Sequence, residues 1–200
     1  MAAMLAITIM ANSGASIANA MMKIPVLGTI AEIVTFREYK DSTNDMTADV
    51  KIPEVSVKNE EVITDSDRLF SIRFDKLQIM ASGAESVKIY HIDKQTGQMI
   101  NLKGLFKEDV NFIDPISDNI KKQMKEQMAA DESKMYFIDS DMPESDFQSI
   151  TEDTTFYVND SGKLVIVFDE YEVAPGSMGV VEFEIPTDVI QDIVQDGFVS

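Results

Sequence analysis

His91 is the only histidine in the sequence, and it falls inside a strand candidate, Val87 to Ile92. A histidine can serve as a general base or a metal ligand. No nucleophile elbow or glycine-rich loop accompanies this one, so a structural or surface role is the better reading. Asp139, Ser140, Asp141 and Glu144 offer oxygen ligands of the kind Ca²⁺ takes. They lack the glycine and the ligand spacing of a calcium loop, which favours a solvated acidic loop. Asp169, Glu170 and Glu172 are carboxylates of the type used in glycoside hydrolysis. Closeness in sequence does not make two carboxylates face one another across a substrate, so this reading is weak. Cysteine is absent, which removes thiol nucleophiles, disulfides and Cys-ligated zinc. No residue is assigned a catalytic role, and no metal or cofactor is expected. The pattern points to binding rather than catalysis.

Two other segments carry functional signals. Met1 to Met22 contains no charged residue, and it closes on Ala18-Asn19-Ala20 followed by Met21. An apolar stretch ending in A-x-A is the mark of a signal-peptidase site, whose pockets admit small side chains. The apolar run is about ten residues long, too short to span a bilayer alone. It is expected to belong to a longer membrane helix or to a chain that starts upstream. A buried helix rich in Ala and Met is the competing reading. The second segment is Asp169 to Gly179, which joins two strong strands. Hairpin loops usually take two to five residues, so this one is long. Tyr171, Glu172, Val173, Ala174, Pro175, Gly176 and Ser177 form a candidate recognition loop. Proline and glycine fix its shape, and tyrosine offers a rigid amphipathic contact. A bulged strand extension with Tyr171 in the core is the structural alternative.

These segments need a frame. Ile30 to Phe36 and Ala48 to Ile52 read as strands in an extended lead-in, and Lys58 to Asp67 reads as a charged linker or turn. Leu69 to Leu77 alternates, with Phe70, Ile72 and Phe74 on one face and Ser71, Arg73 and Asp75 on the other. Val87 to Ile92, a Lys94–Gly97 turn and Met99 to Leu102 form a hairpin. Ile113, Ile116, Ile120, Met124 and Met128 recur at helical spacing, with Lys121, Lys122 and Lys125 outside the stripe. This Met-rich stripe is read as core packing. Asp131 to Asp160 is acidic. Phe156 to Val158 and Leu164 to Phe168 flank an Asn159–Gly162 turn. Val180 to Ile185 is a further strand stopped by Pro186, and Thr187 caps a last helix that packs Val189, Ile190, Ile193 and Val194 inward. The expected fold class is α+β, a mostly antiparallel sheet with packed helices, preceded by the membrane- or signal-like segment. The expected divisions are residues 1–22, an extended first part over 23–64, and a sensor-type domain over 65–200.

The sequence has 17 Lys and Arg against 35 Asp and Glu, a formal net charge of −18. Such a chain repels nucleic acid and anionic lipid and would attract a cationic partner. On charge alone, acidity that only aids solubility is the competing and stronger reading.

Phe156-Tyr157-Val158, then Leu164 through Pro175, then the strand ending in Ile185-Pro186, resemble the C-terminal domain of RsiV-type anti-sigma-V factors. The stretch KIYHIDKQTGQMINLKGLF, ending at Phe106, resembles the first half of the same domain. Ile24 to Gly28 and Val34 to Tyr39 resemble that family's post-membrane segment. The resemblance implies a single-pass protein of a Gram-positive type cell membrane whose main domain is extracytoplasmic. It implies lysozyme as partner, bound through the Tyr171 loop. It further implies cleavage by signal peptidase after Ala20, then by an intramembrane protease, to release a sigma factor. Two departures stand out. The cytoplasmic sigma-binding segment is missing from the sequence as given. Only Ser56 to Thr64 lies where the family carries a helix and an extra strand, so the first subdomain is expected to be shortened. The same domain pair also occurs beside polysaccharide deacetylases, so an accessory cell-wall-binding module is the alternative reading. An autonomous hydrolase is a third, disfavoured by the missing motifs.

Overall fold

The computed structural model describes residues 54–79 and 83–200, with side chains at 61–75 and 84–200. The chain divides into two compact units, Pro53–His91 with Ile100–Ser200, and Met1–Ile52 with Ile92–Met99. The strands expected at 30–36 and 48–52, together with Ala18, Ala20 and Met21, lie outside the described residues.

In the larger unit, strands β1 (Glu54–Asp65), β2 (Leu69–Ile79) and β3 (Gly83–Asp93), the last up to His91, lie side by side in that order. β1 and β2 are antiparallel, and the register of β1 shifts twice, between Val57 and Asn59 and between Val62 and Thr64. The charged stretch expected to be a linker, 58–67, is therefore mostly strand. Strand pairing with β2 overrides its polar composition, because an outer strand can leave charged side chains in water. Ser66 makes the tight return to β2, with its hydroxyl accepting from Leu69 N–H at 2.9 Å.

The second sheet is three-stranded, in the order β5 (Phe156–Val158), β6 (Leu164–Phe168) and β7 (Val181–Ile185), all antiparallel. The Asn159–Gly162 turn forms as its sequence predicts. Asn159 Oδ1 accepts from the N–H groups of Ser161 and Lys163, and Gly162 takes φ +73°. All five residues of β6 are buried, while β7 alternates buried and exposed. A strand covered on both faces reads as a continuous apolar run, and one covered on a single face alternates.

One face of this sheet is covered by helix α1 (Ile113–Ala130), which buries Ile116, Ile120 and Met124 and partly covers Ile113 and Met128, the predicted stripe. Phe112 holds the cap position, and Asn111 just before it accepts from Asp114 N–H at 3.2 Å. On the other face, Val167 packs with Val87 and Ile89 of β3. Thr64 ties the two sheets together, its hydroxyl donating to Val158 O at 2.7 Å and accepting from Val158 N–H at 3.3 Å. Helix α2 (Thr187–Ile190) is a single turn, and Ile190 and Val194 are buried as expected. Thr187 does not cap it. Pro186 holds the cap position, and the Thr187 hydroxyl instead accepts from Lys163 Nζ at 2.6 Å and donates to Ser200 O.

In the smaller unit, the turn after β3 closes with Gly97 N–H donating to Asp93 O at 2.7 Å, and Gly97 has φ +70°. β4 (Gln98–Ile100) is shorter than the strand expected there, and Leu102–Leu105 turns instead into a one-turn 3-10 helix.

Candidate functional site

The loop between β6 and β7 starts from a strand buried along its whole length. Phe168 packs edge-on against Phe147 and Phe183, with ring centroids 5.4 and 6.0 Å apart. The loop then closes on itself. Asp169 N–H donates to Glu172 Oε2 at 2.9 Å, and Glu172 N–H donates to Asp169 O at 3.1 Å. This small turn puts Tyr171 at its tip with φ +70°. A bulky residue with positive φ is a backbone outlier, held only where the surroundings over-determine it.

Val173 and Ala174 anchor the far side. Both are buried, and Val173 O accepts from Phe137 N–H at 2.8 Å. Pro175, at φ −60°, then starts a 3-10 turn over Gly176–Met178. The turn ends at Gly179 with φ +62° and ψ −148°, a conformation only glycine adopts readily. Gly176 has a second requirement. The Tyr171 ring lies directly on it, and a β-carbon added there would overlap the ring. Tyr171 itself is 53% exposed. The core placement weighed for Tyr171 is thus not the one observed. The candidate residues do come together, with Tyr171 over Gly176, Ser177 exposed, and Val173 and Ala174 as the buried base.

The three carboxylates read as weak hydrolase candidates serve the backbone. Asp169 Oδ1 accepts from Val87 N–H at 2.7 Å, Glu170 Oε2 from Glu85 N–H at 2.8 Å, and Glu172 Oε2 from Asp169 N–H. Partial desolvation of the Glu172 carboxyl raises its pKa, the Asp169 N–H opposes this, and the neighbouring Asp169 charge adds to it. Beside the loop base lies an open cleft of about 370 Å³, lined among others by Thr151, Asp153, Thr154, Asp169 and Glu172. Asp139, from the calcium-type segment, pairs with Lys125 at 2.9 Å. Among the described residues, no three His, Cys, Asp or Glu side chains converge as metal ligands.

His91 is buried, with its ring stacked on Phe156 at 3.9 Å between centroids. Nδ1 lies 2.8 Å from Ser71 Oγ. Burial lowers its pKa to about 3, against a backbone hydrogen bond at Phe156 that raises it, and nearby Lys88 lowers it further. A neutral ring donates from its other nitrogen to the Phe156 carbonyl and accepts from the Ser71 hydroxyl, a tautomer assigned from these contacts. Ser71, expected on the polar face of β2, is fully buried as this partner. Alternation alone did not reveal it, because the sequence gives no sign that a second sheet covers that face.

Among the described residues, no helix is long and apolar enough to cross a membrane. Residues 103–188 match a family described as proteins of unknown function (DUF3298). Two solved structures share the fold. A DUF3298 family protein from Pseudomonas aeruginosa PAO1 matches with a TM-score of 0.56 at 17% identity, over 70% of this chain and 62% of that one. A family member from Bacteroides fragilis matches with a TM-score of 0.50 at 15% identity, over 94% and 78%. The anti-sigma-V factor RsiV of Bacillus subtilis is 36% identical over 233 residues, covering 96% of this chain and 81% of that protein. An alignment of 233 residues exceeds this 200-residue chain, so the relative carries residues that have no counterpart here. Identity at this level across nearly the whole chain is of a different order from a shared fold, and it places the protein in the RsiV-type anti-sigma-V factor family.

Proposed function

We propose that this chain is the extracytoplasmic sensor part of a membrane-anchored anti-sigma factor. Its folded domain binds lysozyme through the Tyr171–Ser177 loop, and binding opens the Ala18-Asn19-Ala20 site to signal peptidase. The cut falls between Ala20 and Met21, and an intramembrane protease then releases the sigma factor. The observation that carries this reading is the 36% identity to an anti-sigma-V factor over 96% of the chain. Two physical features support it. Tyr171 is an exposed aromatic on a loop whose base is buried, the arrangement of a recognition anchor that loses little entropy on binding. A net charge of −18 suits a basic protein partner.

The test is association of the chain with a basic lysozyme, with melting measured on the same proteins. Tyr171→Ala and Pro175→Ala are expected to weaken binding at least tenfold, about 1.4 kcal/mol or more. Their melting temperatures stay near the parent's. The parent's on-rate is expected to fall as salt rises, since the Debye length is about 8 Å at physiological strength. Unchanged affinity in both variants would remove the loop from recognition. For cleavage, the released fragment should begin at Met21, and Ala20→Phe should block the cut. A different first residue would displace the site.

A further inference from the structure

Residues Glu85 and Val87 sit two apart on β3, so their N–H groups point to the same side of the strand. Ordinarily such groups bond to the carbonyls of a neighbouring strand. Here they donate to side-chain carboxylates, Glu85 to Glu170 Oε2 at 2.8 Å and Val87 to Asp169 Oδ1 at 2.7 Å. The bonding is returned, because Glu170 N–H donates to Glu85 O at 3.2 Å. Two consecutive loop residues thus imitate a short strand segment along β3. Asp169 also takes part in the turn that presents Tyr171, through its own N–H and C=O to Glu172.

We propose that Asp169 and Glu170 are positioning residues that clip the Tyr171 loop to β3, so that loop and strand open and close as one unit. The clip acts on the site assigned above and, resting on that reading, supplies its regulation. A partner that displaces Tyr171 loosens the turn at Asp169 and withdraws the acceptors from Glu85 and Val87. β3 neighbours β2, and β2 pairs with β1 along its length. A change at the loop is thereby passed through β3 and β2 to β1, the strand that begins at Glu54.

Hydrogen exchange of single amides, read by NMR on the whole chain without ligand, tests the clip. In Asp169→Ala/Glu170→Ala, the amides of Glu85 and Val87 are expected to exchange at least tenfold faster, together with those of Glu172 and Met178. The amides of Ile166 and Phe183, in the other sheet, keep the parent's rates. Asp169→Asn/Glu170→Gln retains side-chain oxygens that can accept, and is expected to restore slow exchange. Should the double alanine variant fail to fold, the single variants decide. Asp169→Ala should free Val87 more than Glu85, and Glu170→Ala the reverse. Parent-like exchange at Glu85 and Val87 would overturn the proposal, as would faster exchange in the strand with none in the loop. The readout needs no ligand. A chain that did not bind lysozyme would sink the proposed function while these rates still decided the clip.

Discussion

Strands β2 and β6 both run through the middle of a sheet, and both bury residues on two faces. β6 does so with five apolar residues in a row, Leu164 to Phe168, and its inward rings and methyls join the main core with Ile116, Ile120 and Phe183. β2 buries Leu69, Phe70, Ile72 and Phe74 but places Ser71 among them, completed by His91. Apolar packing tolerates any pH and punishes lost volume. A buried polar pair tolerates little change in protonation, since charging the ring puts an uncompensated charge in the core and ends its acceptance from the Ser71 hydroxyl. Between these two lies a third kind of contact, the Arg73 guanidinium, which reaches Asp75 at 2.7 Å and Glu182 at 2.6 Å. Tyr157 donates to the same Glu182 at 2.9 Å, and burial followed by that carboxylate pushes its hydroxyl up to about 12.

The contrast can be broken most strongly at the apolar end. Phe183 is fully buried beneath Tyr136 and Phe168. Phe183→Ala is expected to cost about 3–5 kcal/mol by denaturant unfolding, with no dependence on pH. His91 supplies the opposite behaviour. Its pKa lies at about 3 in the folded chain against 6.5 in the unfolded one, so between these values the unfolded state binds the extra proton. The stabilisation is fully present above pH 6.5 and is lost as pH falls towards 3. The loss is on the order of 4 kcal/mol. Melting followed from pH 7 to pH 4 checks it, and His91→Gln should flatten the curve in that window. Thr64→Val leaves both backbone groups of Val158 without their hydroxyl partner, an expected loss of about 1–3 kcal/mol. At the far end, Lys122 and Glu126 stand 3.8 Å apart on the exposed face of α1. Lys122→Ala should leave the melting temperature unchanged within error, since exposed pairs of this kind contribute little.

Periodicity carried most of the three-stranded sheet and its helix. The stripe from Ile113 to Met128, the Asn159–Gly162 turn and the alternation of β7 all depend on short-range patterns that geometry reproduces directly. What escaped were contacts made over long separations by polar residues. Thr64 meets Val158 and Asp169 meets Val87 across more than eighty positions, and nothing local distinguishes them from solvated side chains. For the same reason 58–67 read as a linker, since its charges hide a strand whose partner lies in β2. The candidate loop was legible through its length and its Pro and Gly content. The positive φ of Tyr171 and the need for a bare Gly176 beneath its ring emerge only in three dimensions.

Among the described residues β1 is the outer strand beside β2, and it is twelve residues long. A straight edge of that length is a template on which other copies of the chain could stack into fibrils. Its two register breaks interrupt the regular row of hydrogen-bonding groups and bend the strand. Glu61 and Asp65 add exposed negative charge along it. Removing one residue at either break should straighten the edge. The first sign of the change would then be turbidity and thioflavin binding in concentrated solution, before any loss of folded structure.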